Sequence, residues 1–358
     1  MEGFFTLKLS EDKNALILLD QTKLPLEETY ITLSREEDIW DAIRTLKVRG
    51  APALGAAAAY GLYLSVKDSP AQSAQDFLAL IDQKIAYFAS SRPTAVNLPG
   101  ALERMKCAAK AYAPEGVAAM KTALLNEAEG IDAQDKKTCL AIAEHALTLL
   151  KPGMTLMTIC NAGAMATTGI GTALAPIHEG VRRGYGFKVF ALETRPLLQG
   201  ARITCWELMK AGVDVTLICD SAAASVLASG KVNAILAGAD RIALNGDSAN
   251  KIGTSMLGVL AKEYRVPLYI LAPLTTLDRR ISCGKDIPIE ERPGDEVTSF
   301  GLRRTAPEGV KAFNPAFDVT KVAYISAIVT ETGVIRPPFD VGLRDAIVFE
   351  NDCNLDSR

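Results

Sequence analysis

The stretch MTLMTICNAG, residues 154–163, decides the fold of this chain. Its first part, Met154–Ile159, is an apolar run of strand length, and the sequence CNAG at residues 160–163 then supplies a polar, glycine-containing turn. A short buried strand that ends in such a turn is typical of the βα unit of a parallel sheet. We therefore expect a strand here, followed by a helix that starts near Ala164.

Further apolar runs of strand length follow along the chain, separated by helical segments. These runs are Lys188–Leu192, Val213–Cys219, Asn233–Ala237, Leu268–Ala272 and Val322–Ile325. Strands that alternate with helices indicate a parallel, doubly wound sheet, so residues 131–358 are predicted to form a Rossmann-like α/β domain. Helical patterns dominate upstream after one short β segment, and residues 1–130 are predicted to form a mainly helical domain.

The composition argues against several classes of protein. The chain has 39 Lys and Arg against 42 Asp and Glu, a net charge of −3, which is not the basic excess of a non-specific nucleic-acid binder. No apolar run approaches the ~20 residues of a membrane span, and no signal-peptide pattern is visible, so a cytoplasmic protein without a membrane partner is expected.

Histidine and cysteine usage restricts the chemistry. The two histidines, His145 and His178, lie far apart and are interpreted as surface or helix-packing residues. The seven cysteines form no CxxC pair, so we expect reduced thiols and no metal site. Acid–base chemistry would then fall on carboxylates, lysines or a cysteine.

Two potentially reactive side chains follow predicted strands. Cys160 ends the first run beside a predicted helix start, which suits a reactive thiol, although a buried structural cysteine is an equal alternative. Asp240 follows the run that ends at Ala237, where a partly desolvated carboxylate suits proton transfer. The alternatives for Asp240 are a helix cap or an ion pair with Arg241. Parallel strands share one carboxyl edge, so both residues are expected there.

Three segments combine a cation with a predicted helix start, which is the pattern of an anion site. They hold Arg49-Gly50-Ala51, Arg92, and Asn250-Lys251 before Gly253. Each alone also fits an ordinary helix boundary; together they indicate a small anionic ligand.

A nicotinamide-cofactor site is not expected. The segment Gly169-Ile170-Gly171 lies within the helix predicted after Cys160 and has Leu174 where the dinucleotide fingerprint needs a small residue.

An ordered series of motifs along residues 15–335 resembles that of the methylthioribose-1-phosphate isomerase family. The motifs are RGAPA from Arg49, SRPTAVNL from Ser91, CNAG from Cys160, ETRPLLQG from Glu193, GADRI from Gly238, NKIGT from Asn250, IPIEER from Ile287 and NPAFD from Asn314. The resemblance implies an aldose–ketose isomerase of a sugar 1-phosphate, usually a homodimer, that uses no metal or nucleotide cofactor. The tail from about Ile335 carries no motif of the family.

The resemblance also implies roles for individual residues. It gives the catalytic positions to Cys160 and Asp240, with Asp240 as proton donor and Cys160 as base or charge stabiliser. It gives the substrate-binding positions to Arg49, Gly50, Ala51, Arg92, Gln199, Asn250 and Lys251. The implied reaction converts 5-methylthioribose 1-phosphate to 5-methylthioribulose 1-phosphate in methionine salvage.

Three alternatives stay open. The sugar could be 5-deoxyribose 1-phosphate, because a thioether in a pocket is worth only about 1–3 kcal/mol. Ribose 1,5-bisphosphate would need a second phosphate site, and no extra basic cluster is obvious. The regulatory subunits of the translation-initiation exchange factor share the family fold as non-enzymatic scaffolds, but the presence of both Cys160 and Asp240 favours an enzyme.

Overall fold

The computed structural model describes residues 3–92, 97–301 and 303–346. These residues divide into two compact units. The first holds the described residues up to Lys137 together with Ala164–Gly171, and the second holds Thr138–Gly163 and those from Thr172 onward. The predicted domain boundary between residues 130 and 131 stays a prediction.

The first unit is built on one buried helix. This helix, α2 (Ala51–Val66), consists almost wholly of apolar or small residues and is buried on nearly every side, as in a core helix. Its small residues allow close packing, since a Cβ atom at Gly61 would lie 2.8 Å from the ring of Phe88. The other elements are β1 (Leu7–Leu9), β2 (Leu16–Leu19), β3 (Tyr30–Leu33), α1 (Glu36–Arg44), α3 (Ala74–Ala89), α4 (Asn97–Ala111) and α5 (Val117–Leu147), which continues into the second unit.

The second unit is a mixed α/β structure, which confirms the predicted fold class. Its helices include α6 (Ala175–Arg182), α7 (Cys205–Lys210), α8 (Ala223–Ala228), α9 (Thr254–Glu263) and α10 (Asp295–Thr298). Its strands are β4 (Thr155–Thr158), β5 (Lys188–Leu192), β6 (Asp214–Ile218), β7 (Ala234–Ala237), β8 (Arg241–Ile242), β9 (Ser248–Lys251), β10 (Leu268–Leu271), β11 (Ser299–Phe300), β12 (Arg303–Arg304), β13 (Phe317–Thr320), β14 (Ala327–Thr330) and β15 (Gly333–Ile335).

Seven of these strands form one sheet in the order β15-β14-β10-β7-β4-β5-β6. All neighbours pair in parallel except β14 and β15. From β4 the chain adds β5 and β6 on one side and then β7, β10 and β14 on the other, so the strand order reverses between β4 and β7. In open α/β sheets, ligands bind beyond the carboxyl ends of the strands at such a reversal.

The prediction of a last strand at Val322–Ile325 is wrong. Val322–Tyr324 forms a 3₁₀ turn, and the strand β14 begins at Ala327. The turn is fixed because the backbone N–H of Val322 donates to the Asp247 carboxylate at 2.8 Å.

The helix predicted to start near Ala164 is also wrong. Only Ala164–Ala166 is helical, as one 3₁₀ turn, and Gly169-Ile170-Gly171 lies in a loop before α6. The hydroxyl of Thr167 accepts hydrogen bonds from the backbone N–H groups of Gly169 (3.2 Å) and Gly171 (3.1 Å). Such side-chain bonds compete with the helical pattern.

Candidate active site

Cys160 has an unusual backbone at the end of the sheet. It follows β4, is 7% exposed, and has a positive φ of 63°, which few residues other than glycine adopt. Its backbone N–H donates to the hydroxyl of Thr194 at 2.8 Å, and its carbonyl oxygen accepts from the hydroxyl of Thr204 at 2.6 Å. Both polar backbone groups of Cys160 are therefore held by side chains from other elements.

Thr194 lies just beyond β5 and is itself held in place. Its φ is 67°, and it is fully buried. The carboxylate of Asp220, which follows β6, accepts the backbone N–H groups of Thr194 at 2.8 Å and Arg195 at 2.7 Å. The ends of three neighbouring strands are thus joined through hydrogen bonds.

A buried polar cluster supports the turn after Cys160. The Asn161 side-chain amide donates to Thr204 Oγ1 (3.2 Å) and to Glu207 Oε2 (3.0 Å). The other oxygen of Glu207 lies 3.1 Å from His178 Nε2, and the Glu207 side chain is fully buried. At Gly163 a Cβ atom would lie 1.8 Å from Glu207 Oε1, so any larger residue would have to displace this buried carboxylate from its partners.

Thr194, Thr204, Glu207 and His178 were not predicted as site residues. His178 is expected at the surface or in helix packing; it is 7% exposed and contacts Glu207 on α7, which agrees with helix packing. No local sequence pattern separates these residues from ordinary polar residues, because Glu207 and His178 lie on different helices. Only Thr194 carried a signal, since it follows a predicted strand.

Asp240 lies beyond β7, which pairs in parallel with β4. It therefore shares the carboxyl edge of the sheet with Cys160, on the two strands between which the order reverses. The helix-cap alternative is wrong because Asp240 is followed by the strand β8. The alternative of an ion pair between Asp240 and Arg241 stays a prediction. The structure shows the guanidinium of Arg241 at 3.3 Å from the carboxylate of Asp278.

Asn250 and Lys251 lie on a strand next to Asp240. The backbone N–H of Asp240 donates to the carbonyl of Ala249 at 2.9 Å, one residue before Asn250. Both residues belong to β9 and not to a helix start, which corrects the prediction. The reason is strand pairing, since β13 lies opposite both residues in antiparallel register. Lys251 is 9% exposed, donates to the carbonyl of Ala316 at 2.8 Å, and lies over the ring of Phe317.

The helix that follows is capped by the chain itself. α9 begins after Gly253, and the Asp318 carboxylate accepts the backbone N–H groups of Gly253 (2.8 Å) and Ser255 (2.9 Å). Burial raises the pKa of Asp318 above its ordinary value. These two N–H groups, expected to bind an anionic ligand, are bound to Asp318.

Gln199 lies next to an irregular helical turn. It directly precedes the π-helical residues Gly200–Thr204 and is 6% exposed. Its side-chain carbonyl oxygen has no hydrogen-bond partner among the described residues. Since buried polar atoms in proteins nearly always have a partner, this oxygen is placed to accept a hydrogen bond from a ligand.

The remaining predicted residues lie in the first unit. Gly50 is the N-cap of α2, where Ala51 is the first residue, and Arg49 precedes both. A Cβ atom at Gly50 would lie 2.3 Å from the Cα of Ala166 and 2.4 Å from its carbonyl oxygen. Arg92 is half-buried and follows α3, whereas residues 93–96 of its motif lie outside the described residues.

The loop that contains Ala166 is tied to helix α5. Asp135 accepts hydrogen bonds from the backbone N–H of Thr168 at 2.6 Å and from its hydroxyl at 3.0 Å. Burial raises the pKa of Asp135 to about 6. The close contact at Gly50 is therefore made by a loop with a fixed anchor.

The described residues hold neither a metal-binding cluster nor a membrane-spanning helix. In residues 3–92, 97–301 and 303–346 we find no group of three histidine, cysteine or acidic side chains arranged to hold a metal ion. In the same part of the chain, none of the helices combines the length and the hydrophobicity that crossing a bilayer requires.

The sequence matches the model of a known protein family. The model of the initiation factor 2 subunit family, IF-2B, matches residues 47–337. The chain belongs to this family. Curated relatives include a 5-deoxyribose 1-phosphate isomerase of Petrotoga mobilis, 54% identical across 94% of this chain and 97% of the relative. A methylthioribose-1-phosphate isomerase of Symbiobacterium thermophilum is 53% identical across 94% of each chain.

Two solved structures have similar folds. The 5-methylthioribose 1-phosphate isomerase of Pyrococcus horikoshii superposes with a TM-score of 0.92 at 38% identity, covering 98% of this chain and 97% of its own. A structure described as subunit delta of the translation initiation factor eIF-2B from A. fulgidus gives 0.86 at 41% identity, covering 95% and 98%.

Proposed function

We propose that this chain is an aldose–ketose isomerase that converts 5-methylthioribose 1-phosphate to 5-methylthioribulose 1-phosphate. The observation that carries the proposal is the position of Cys160 and Asp240. They follow β4 and β7, the parallel neighbours between which the strand order reverses, and ligands of such sheets bind there. Relatives that are more than half identical over nearly the whole chain carry the names of such isomerases.

The substrate poses a specific chemical problem. Its anomeric oxygen carries phosphate, so the sugar ring does not open to a free aldehyde. In the proposed reaction Asp240 gives a proton to the ring oxygen as the C1–O4 bond breaks, which leaves positive charge at C1. Hydrogen then moves from C2 to C1, and the C2 hydroxyl becomes the ketone as it loses its proton. Partial burial of Asp240 suits a proton donor.

Cys160 is proposed to act near C2, as a base or by stabilising the developing charge. The hydrogen travels either as a hydride or as a proton through an enolate-like intermediate. Around Cys160, the buried side chains of Ile159 and Leu192 belong to the same apolar cluster. Such surroundings protect a cationic intermediate from water.

The substrate-binding roles are proposed for seven residues. Asn250 and Lys251 are next to Asp240 along β9, and Lys251 carries a positive charge that suits a phosphate. Gln199 offers a buried carbonyl oxygen to a sugar hydroxyl. Arg49, Gly50, Ala51 and Arg92 are proposed to bind substrate through two guanidinium groups and the start of α2. The proposal includes a cytoplasmic homodimer without cofactor.

A second candidate substrate is 5-deoxyribose 1-phosphate. The Petrotoga mobilis relative bears the name of that activity at nearly the same identity as the methylthioribose enzyme. The two sugars differ only at C5, and a pocket discriminates such groups by about 1–3 kcal/mol, so both are expected to react.

A side-by-side assay tests the proposal. Purified full-length protein is given 5-methylthioribose 1-phosphate or 5-deoxyribose 1-phosphate, and NMR follows the ketose. We expect turnover of both, with the higher kcat/KM for the methylthio sugar. A clear preference for the deoxy sugar would transfer the assignment to the second candidate. Turnover of neither sugar would refute the isomerase and favour the non-enzymatic alternative.

A further inference from the structure

The backbone of Cys160 needs support from its neighbours. A residue with a side chain and a positive φ is strained, and such a conformation persists only where the surroundings impose it. In Cys160 φ is 63°, and the residue lies in a turn with no regular secondary structure. The direction of the Cα–Cβ bond, and so the position of the thiol, depends on this conformation.

We propose that Thr194 and Thr204 are positioning residues that together clamp Cys160 in this conformation and so aim its thiol. This inference deepens the proposed function and rests on it for its catalytic consequence. One hydroxyl accepts the N–H of Cys160 (2.8 Å) and the other donates to its carbonyl (2.6 Å). Both threonines are fully buried, so neither hydroxyl is solvated.

Thr194 forms the first half of the clamp. Its hydroxyl donates to the carbonyl of Leu192 at 3.1 Å, which leaves the oxygen lone pairs directed to the N–H of Cys160. Asp220 holds the backbone of Thr194 from the next strand end. The position of this hydroxyl is thus set by two strands of the sheet.

Thr204 forms the second half of the clamp. It closes the π-helical turn Gly200–Thr204, an irregularity that is frequent at functional sites. Its hydroxyl donates a hydrogen bond to the Cys160 carbonyl, and the hydroxyl oxygen accepts one from the side-chain amide of Asn161 at 3.2 Å. Asn161 is held in turn by the buried Glu207, which faces His178.

Loss of one hydroxyl removes one hydrogen bond from a buried backbone group of Cys160. The turn then loses part of the support for its positive φ and is expected to shift towards ordinary β conformation, which moves the thiol. The hydroxyls of both fully buried threonines are bound to the backbone of Cys160, so we expect their loss to act on the chemical step more than on substrate affinity. Displacement of a catalytic group by about 1 Å can cost about 100-fold in rate.

Matched variants of Thr204 test the clamp. Thr204→Val keeps the shape and removes the hydroxyl, whereas Thr204→Ser keeps the hydroxyl and removes a methyl group. We expect kcat to fall by about 10- to 100-fold in Thr204→Val, with KM within about twofold of wild type. Thr204→Ser should keep most of kcat despite its buried cavity. Thr194→Val and Thr194→Ser form a second pair should the first not fold.

Crystal structures of the same variants separate this inference from the proposed function. In Thr204→Val the φ of Cys160 should leave the positive region, and in Thr204→Ser it should stay there. A folded valine variant in which Cys160 keeps its positive φ overturns the clamp, whatever its kcat. If the wild type turns over neither sugar, the proposed function fails, and the crystal structures alone still decide whether the clamp exists.

Discussion

Two helix starts in this molecule share a sequence pattern but are fixed by different means. Arg49-Gly50-Ala51 leads into α2, and Lys251-Ile252-Gly253 leads into α9. At Gly50, glycine is required because the chain meets the backbone of Ala166. At Gly253, φ is 101°, and the carboxylate of Asp318 binds the first N–H groups of the helix.

This difference shows that a cation and a glycine before a helix start do not by themselves indicate an anion site. The same pattern can present backbone N–H groups to a ligand or to a carboxylate of the chain itself. In α9 the chain supplies its own anion, so Asn250 and Lys251 would bind a phosphate through side chains and not through that helix start. The carboxylate that caps α9 belongs to Asp318, which lies 65 residues after Gly253 in the sequence.

The largest effect is expected at Gly50. Gly50→Ala adds a Cβ atom at φ 89°, 2.3–2.5 Å from Ala166. We expect it to destabilise the protein by about 3–5 kcal/mol, since backbone strain and overlap with fixed atoms add together. Urea denaturation followed by circular dichroism measures this loss.

Gly100 and Gly130 provide the matched control. Both lie inside helices, and a Cβ atom at either would meet nothing within 4 Å. Alanine at these positions should stabilise by about 0.5–1 kcal/mol. A Gly50→Ala protein as stable as the Gly100→Ala protein would show that the close approach to Ala166 does not matter.

A smaller effect is expected at Asp318. Asp318→Ala removes both acceptors at the start of α9 and should destabilise by about 1–2 kcal/mol. Asp318→Asn keeps one acceptor and removes a carboxylate whose pKa is raised by burial. The stability lost in Asp318→Asn should therefore be less than half of that lost in Asp318→Ala. Thermal unfolding of both variants measures the difference. Equal stability of wild type and Asp318→Ala would show that the Asp318 carboxylate does not stabilise the start of α9.

The parts that sequence predicted well depend on short-range patterns. The strand at Thr155–Thr158 lies within the predicted apolar run Met154–Ile159, and the helix Ala51–Val66 begins at the helix start predicted at Arg49-Gly50-Ala51. The placement of Cys160 and Asp240 on one carboxyl edge of the sheet follows from the alternation of strands and helices, whereas the adjacency of their strands is seen only in the structure. Two errors arose where side chains replaced regular backbone bonds, as Thr167 does in the loop after Ala166. The error at Asn250 and Lys251 arose from the pairing of β9 with β13.

The support around Cys160 could not be predicted from the sequence. Thr194, Thr204 and Asp220 come together only because β4, β5 and β6 are neighbours in the sheet. The pairing of Glu207 with His178 joins residues on two helices, 29 positions apart. Local periodicity contains no information on such contacts.

The most direct test of the account is the turnover number of Cys160→Ser and of Asp240→Asn. Both substitutions preserve shape and remove, in turn, the thiol and the ionisable carboxyl group. With the preferred sugar 1-phosphate and NMR detection, each kcat should fall at least about 100-fold while the fold stays intact. Near-normal kcat in both folded variants would contradict the assignment of Cys160 and Asp240 as the residues that carry the chemistry.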